Sequence, residues 1–167
     1  WDYQESGSNQ RLNDVTFTGA DVGFAVGGTE GNPNETGVLR KTTNAGASWV
    51  EVNLPVDKAI NDIQFLGTQV GYAVCEDGYI LKTMDGGDNW TFTRPETADL
   101  HGVFFTGQSN GFVVGEMGLI IRTEDGGLTW DNQFIPGVIA DLNSIMFIDN
   151  MTGFIFGNNG HFIKTVN

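Results

Sequence analysis

Cations are scarce in this chain: 8 lysines and arginines stand against 21 aspartates and glutamates in 167 residues, for a formal charge of −13. Phosphate binding needs clustered Lys and Arg, so a nucleic-acid partner is disfavoured, as is an anionic membrane surface. No apolar run approaches the ~20 residues of a membrane span, and none is expected. Cysteine occurs once, at Cys75, so there is no intrachain disulfide. It falls on an apolar strand pattern near positions matched by Val26, Val114 and Phe156, and reads as a small buried hydrophobe and not a nucleophile. Only two histidines occur, His101 and His161, and no zinc spacing, Ser-His-Asp set or Asp-x-Asp-x-Asp calcium loop stands out. Neither a metal nor a cofactor is expected. No signal-peptide pattern opens the chain, and a start at Trp1 without methionine is what a processed or trimmed form would show.

What is present is glycine, with 24 residues and no collagen period, in a chain that is 40% hydrophobic. That content suits one turn-dense all-β domain with a real core. A box recurs about every forty residues: Thr42-Thr43-Asn44-Ala45-Gly46-Ala47-Ser48-Trp49, Thr83-Met84-Asp85-Gly86-Gly87-Asp88-Asn89-Trp90 and Thr123-Glu124-Asp125-Gly126-Gly127-Leu128-Thr129-Trp130. The repeat extends beyond it. Each unit opens on an apolar residue and a small polar one, Leu12-Asn13, Ile60-Asn61, Leu100-His101 and Leu142-Asn143. His101 therefore reads as a hydrogen-bonding residue in an asparagine slot. A Gly-aromatic pair follows, Gly23-Phe24, Gly71-Tyr72, Gly111-Phe112 and Gly153-Phe154, and a cation precedes each box position, Lys41, Lys82, Arg122 and Lys164. Four short strands per unit, rich in β-branched and aromatic residues and cut by glycine turns, form an antiparallel meander. Meanders at this period predict the blades of a β-propeller, stacked because one blade cannot bury both of its faces. The units span about residues 11–52, 60–93, 100–133 and 142–167 of a single segment 1–167, with residues 1–5 able to complete a blade.

The box reads as a turn lock. Adjacent glycines permit positive φ, the Asp carboxylate (Asn44 in the first copy) and the Thr hydroxyl bond their own turn, and the Trp buries a large area. Structural roles are accordingly expected for Thr42, Asn44, Gly46, Trp49, Thr83, Asp85, Gly87, Trp90, Thr123, Asp125, Gly127 and Trp130. These boxes resemble the Asp-box, or bacterial neuraminidase repeat; Thr123 to Trp130 matches it throughout, Thr83 to Trp90 departs at Asn89, and the first copy replaces the Asp. The longer pattern, running from Phe105 through Gly111-Phe112 and Gly118 to Trp130, is similar to the repeat of the photosystem II stability/assembly factor-like family. That resemblance covers nearly all of residues 11–167 and implies a propeller that acts by binding and is not an enzyme.

Both ends of the sequence cut through a box turn, since Asn167 aligns with a box Asp and Trp1 with a box Trp. Three arrangements stay open: a ring of four blades closed by Trp1-Asp2-Tyr3-Gln4 beside Phe162-Ile163-Lys164, a piece of a larger ring, or two joined chains. The leading expectation is the piece of a larger ring, whose open edges invite self-association. Sialidase chemistry needs three converging arginines, but Arg122 sits in the repeated cation slot and Arg11, Arg40 and Arg94 fall at different points of their units. Paired carboxylates for glycoside hydrolysis are expected by chance in so acidic a chain.

Boxes and the turns between second and third strands fall on opposite edges of a meander. The first unit carries an insertion in its second turn, Gly28 to Gly37, where loop variation marks a binding face. The candidate binding residues are Glu30, Asn32, Asn34, Glu35, Glu76, Asp77, Glu116, Asn158 and Asn159, with Asp57, Glu96, Asp99 and Asp141 beside them. An acidic face of this kind fits a basic protein partner. The leading reading is a non-catalytic protein-binding or assembly scaffold, secreted or periplasmic. A carbohydrate-binding or sialidase-like hydrolase propeller and a structural unit of an extracellular assembly are the alternatives.

Overall fold

The computed structural model describes residues 2–29 and 36–166. Its strands follow the expected meanders. The first sheet has the order β1 (Leu12–Phe17), β2 (Gly23–Gly28), β3 (Gly37–Thr42) and β4 (Val50–Glu51). The second runs β5 (Ile60–Leu66), β6 (Val70–Cys75), β7 (Ile80–Thr83) and β8 (Thr91–Thr93), and the third β9 (Leu100–Phe105), β10 (Gly111–Gly115), β11 (Ile120–Thr123) and β12 (Asp131–Asn132). The fourth sheet has three strands among the described residues: β13 (Leu142–Phe147), β14 (Thr152–Gly157) and β15 (Phe162–Val166). Residues 2–5, which the sequence offers as a completing strand, lie in no strand, and Trp1 and Asn167 are outside the described residues. The chain divides into two compact units, residues 1–73 with 81–92 and residues 74–80 with 93–167; the second sheet contributes to both.

The Gly-aromatic pair has a steric origin. Each glycine lies under the phenylalanine at or next to the end of the first strand of its own sheet. A Cβ at Gly23, Gly71, Gly111 or Gly153 would stand 2.5–2.7 Å from the ring of Phe17, Phe65, Phe105 or Phe147. That ring in turn meets the box indole edge-on: Phe17–Trp49, Phe65–Trp90 and Phe105–Trp130 centroids are 6.2, 6.1 and 6.0 Å apart. Glycine, phenylalanine and tryptophan so recur together because they form one stack per sheet, in the T-shaped geometry that aromatic quadrupoles favour.

In the first unit, the aromatic after the glycine reaches the next sheet, with Phe24 stacked on Phe65 at 4.4 Å. Phe112 stacks on Phe147 at 4.6 Å in the second unit. Around that pair, Val114, Ile120, Leu142, Ile145 and Ile155 form a buried cluster. In the first, third and fourth sheets the small polar residue opening the repeat is the extra residue of a β-bulge: the register slips at Asn13, at His101 and at Asn143. A bulge re-aims a side chain. Asn13 Nδ2 donates to Ile60 O at 2.9 Å, and His101 Nδ1 lies 3.1 Å from Leu142 O, each reaching the first strand of the following sheet.

Candidate functional site

The two edges of the sheets differ in how their polar groups are used. On the box edge, Thr83 Oγ1 donates to Asp85 Oδ1 at 2.8 Å and accepts the Gly87 N–H at 3.0 Å. Asp85 Oδ1 accepts the N–H groups of Asp88 and Asn89, and Oδ2 accepts the Asn89 amide. Thr123 and Asp125 repeat this with Gly127, Leu128 and Thr129. Thr42 and Asn44 repeat it with Gly46 and Ser48. Each box also donates one backbone N–H to the turn between the first two strands: Ala45 to Asp21 O, Gly86 to Gln69 O and Gly126 to Ser109 O, all at 2.9 Å. Both box carboxyls are held low, at about 2, Asp85 chiefly by the Asn89 N–H and Asp125 chiefly by the Thr129 hydroxyl. Trp90 is buried and donates to Gly87 O at 3.2 Å, whereas Trp49 and Trp130 are half-buried.

The repeated cation lies over the aromatic of the Gly-aromatic pair in every sheet, Lys41 over Phe24, Lys82 over Tyr72, Arg122 over Phe112 and Lys164 over Phe154, at 5.4–5.8 Å. Lys41 also pairs with Asp88 at 2.6 Å and Arg122 with Glu124 at 2.7 Å. Two further arginines are likewise engaged. Arg40 bonds Glu51 and Gly7 O, and Arg94 donates to Asp77 O at 2.6 Å while lying over Tyr79.

On the opposite edge, the turns Glu76–Gly78, Glu116–Gly118 and Asn158–Gly160 are single 3-10 turns, each with a left-handed middle residue, Asp77, Met117 and Asn159. Two aspartates tie these turns to the segment entering the next sheet. Asp99 accepts the Glu116 N–H on its carbonyl and the Asp77 N–H on its carboxylate at 2.7 Å. Asp141 accepts the Asn158 N–H on its carbonyl and the Met117 N–H on its carboxylate at 3.1 Å. In the sequence Asp99 and Asp141 are legible only as charges beside the site, and this clamping is not. Their recurrence just before β9 and β13 was the available signal.

The candidate binding residues divide accordingly. Asn158 and Asn159 are exposed, Asp77 and Glu116 are half-buried, and Glu30, Asn32, Asn34 and Glu35 lie outside the described residues. Glu76 departs from the expected exposed face: it is 7% exposed, drawn under the turn by its place directly after Cys75 in the core. Cys75 is itself fully buried, and burial pushes its thiol up, with the Glu76 charge adding to the shift, so it holds no reactive thiolate. Within the second unit, a cleft of about 690 Å³ opens beside β15, lined by Phe112, Arg122, Phe147, Gly153, Lys164 and Thr165 among others.

The family model described as photosynthesis system II assembly factor YCF48 matches residues 41–133. The chloroplastic photosystem II stability/assembly factor HCF136 of Oryza sativa subsp. japonica is 34% identical over 86 residues, covering 48% of this chain. The chain spans only 19% of that relative's length. Among solved structures, YCF48 bound to D1 peptide superposes with a TM-score of 0.65 at 14% identity, over 99% of this chain and 66% of that one. An ancestral GH74 enzyme superposes with a TM-score of 0.74 at 16% identity, over 99% of this chain and 24% of the enzyme. At such identities these structures establish the fold, a β-propeller, and nothing about chemistry.

Proposed function

The chain belongs to the photosynthesis system II assembly factor YCF48 family, and from that premise we propose that it works by binding protein, as an assembly or scaffolding module without catalysis. The observation that carries this reading is the commitment of the recurring polar groups to their own turns. Asp85 and Asp125, held at about 2, stay ionised at neutral pH and have no proton to donate. A glycosidase acid needs the opposite shift. One solved protein of the same fold, YCF48, is bound to a D1 peptide, which supports an extended peptide as the type of ligand here.

A basic segment is the partner chemistry the charge favours. In the second unit, Asp77, Glu96, Asp99, Glu116 and Asp141 are half-buried on the loop edge, with Arg94 among them. An exported location, secreted or periplasmic, belongs to the same proposal, and a chloroplastic relative is compatible with it. So does self-association through sheet faces that expose Leu12, Val15 and Phe17 in the first sheet and Phe156 and Phe162 in the fourth. Titration with the D1 peptide and with a lysine-rich peptide tests the reading. Binding should weaken as salt rises, and more for Asp77→Lys with Glu116→Lys than for Asp21→Lys with Asp131→Lys beside the boxes. Equal losses from both pairs would remove the loop edge from consideration. Release of sugar from a polysaccharide by the purified chain would overturn the non-catalytic reading in favour of the hydrolase one.

A further inference from the structure

Two junctions on the loop edge of the second unit share one backbone geometry and carry opposite side chains. At the first, the Glu76–Gly78 turn meets the segment entering β9: a Cβ at Gly78 would run into Glu96 O, and the Asp77 N–H donates to the Asp99 carboxylate. At the second, the Glu116–Gly118 turn meets the segment entering β13 in the same way. A Cβ at Gly118 would run into Val138 O, and the Met117 N–H donates to the Asp141 carboxylate. Met117 therefore stands where the first junction has Asp77, and Ile139 where it has Thr97. Packing within the unit does not account for the exchange, since Met117 and Ile139 are 70% and 82% exposed and Thr97 is exposed as well. Met117 also takes φ 52°, a left-handed conformation that asparagine and aspartate tolerate better. The third turn of this kind holds Asn159 at that position.

We propose that Met117 and Ile139 form an apolar anchor on the loop edge, taking a large aliphatic or aromatic side chain of an extended partner segment that carries lysine or arginine beside it. Two hydrophobes left in solvent, one of them on unfavourable backbone, gain a use when a partner covers them. The surroundings select the partner's charge. Glu116 precedes Met117 in the turn, Asp141 lies against it, and Glu116 bonds the backbone of Asp99. From residue 95 to residue 163 the sequence holds a single lysine or arginine, Arg122, which lies over Phe112 and pairs with Glu124. Cations of the partner meet these carboxylates and set its approach, while the apolar side chain supplies selectivity among basic segments. The proposal rests on the reading of the loop edge as the site of a basic partner, and adds the apolar residue which that partner must carry.

The probes are two fluorescein-labelled peptides, Lys-Lys-Phe-Lys-Lys and Lys-Lys-Ser-Lys-Lys, titrated into the 167-residue chain by anisotropy. The Phe peptide should bind about tenfold more tightly than the Ser peptide. Met117→Asn with Ile139→Thr installs the residues that Asn159 and Thr97 supply at the matching places. In that variant the Phe peptide should weaken to the level of the Ser peptide, whose own affinity stays unchanged. The melting midpoint should stay at or above the parent's, because asparagine suits the left-handed turn. Ile139→Thr alone leaves the turn as it is and should remove about threefold of the preference. Salt-sensitive binding of both peptides with no preference between them overturns the anchor and leaves the basic-partner reading standing. Absent or salt-insensitive binding of both overturns that reading and the anchor with it. A preference that survives the double variant, or an equal loss of both peptides with a lowered midpoint, also overturns the anchor. So does a chain that sediments as a dimer which the double variant dissociates, since the pair would then serve a second copy.

Discussion

The third and fourth sheets carry the same sequence pattern, yet their equivalent apolar residues meet opposite fates. Val114 and Ile120 are 0% and 4% exposed in the third sheet, whereas Phe156 and Phe162 at the matching positions are 46% and 58% exposed. The fourth-sheet residues are the larger hydrophobes, so their own character does not set burial. What differs is the element packed outside them: β13 and β14 cover the third sheet, and no further sheet of the second unit follows the fourth among the described residues. The slot residues show the same contrast. His101 reaches the next sheet at Leu142 O, while Asn143 turns back to Asn158 of its own sheet at 2.8 Å. In a repeat fold, each unit's stability includes a term for its neighbour.

Glycines in equivalent turns provide the sharpest way to break that comparison. Gly118 and Gly160 both close a 3-10 turn with φ near +76° and +75°. A Cβ at Gly118 would stand 2.3 Å from Val138 O, whereas one at Gly160 meets nothing within 4 Å. Gly118→Ala should therefore cost about 3 kcal/mol, positive φ plus a backbone clash, and Gly160→Ala only about 1 kcal/mol. Urea unfolding of the two variants measures this, and equal losses would mean that the packing outside the turn contributes nothing. Next in size is Thr123→Val, which keeps the buried shape but removes the acceptor for the Gly127 N–H. It should cost about 1–3 kcal/mol. A loss well under 1 kcal/mol would show the hydroxyl to be dispensable.

The meander, the glycine–aromatic spacing and the box were legible because each occurs in several copies, and a pattern that survives repetition reports geometry. The bulges were not. Asn13 and His101 were visible as one slot, but a slot says nothing of the extra residue that points their side chains at Ile60 O and Leu142 O. The acidic loop edge was legible as composition and misread in part. Glu76 is sequestered, and the Asp99 and Asp141 carboxylates bond backbone N–H groups. Whether a carboxylate faces solvent or a turn depends on the neighbouring sheet, which a local reading of charge does not contain.

At its third position the first box carries an amide, Asn44, where the others carry the carboxylates of Asp85 and Asp125, and acid should separate them. The folded carboxyls lie at about 2, below the unfolded value of about 3.9. Their contribution is fully present above the unfolded value and is lost as pH falls through the folded one. Asn44 makes the same contacts to Thr42 and Ser48 without titrating. Asp85→Asn with Asp125→Asn should therefore flatten the fall of the melting midpoint between roughly pH 4 and 2. An unchanged acid slope would place the acid sensitivity at other carboxylates, with Asp149, also held low by the Met151 and Thr152 N–H groups, the first to examine.

The smallest expected effect sharpens the same comparison between boxes. Gly86 and Gly126 adopt φ of 71° and 72° at the fourth position of their boxes, and Ala45 takes the matching place at φ 57°. The Ala45 side chain is exposed and adds little packing to offset the conformation. Its N–H still donates to Asp21 O, so the turn is held in place at a cost a glycine would not incur. Left-handed backbone costs an L-residue about 1–2 kcal/mol, while a new glycine adds about 0.4–1 kcal/mol of unfolded-chain entropy. Ala45→Gly should therefore stabilise the chain by about 0.5 kcal/mol, read as a higher urea midpoint at unchanged slope. Because Gly86 and Gly126 already relieve this conformation, Gly86→Ala and Gly126→Ala should shift the midpoint the other way. At Gly86 the added Cβ would also stand 3.0 Å from Thr68 O.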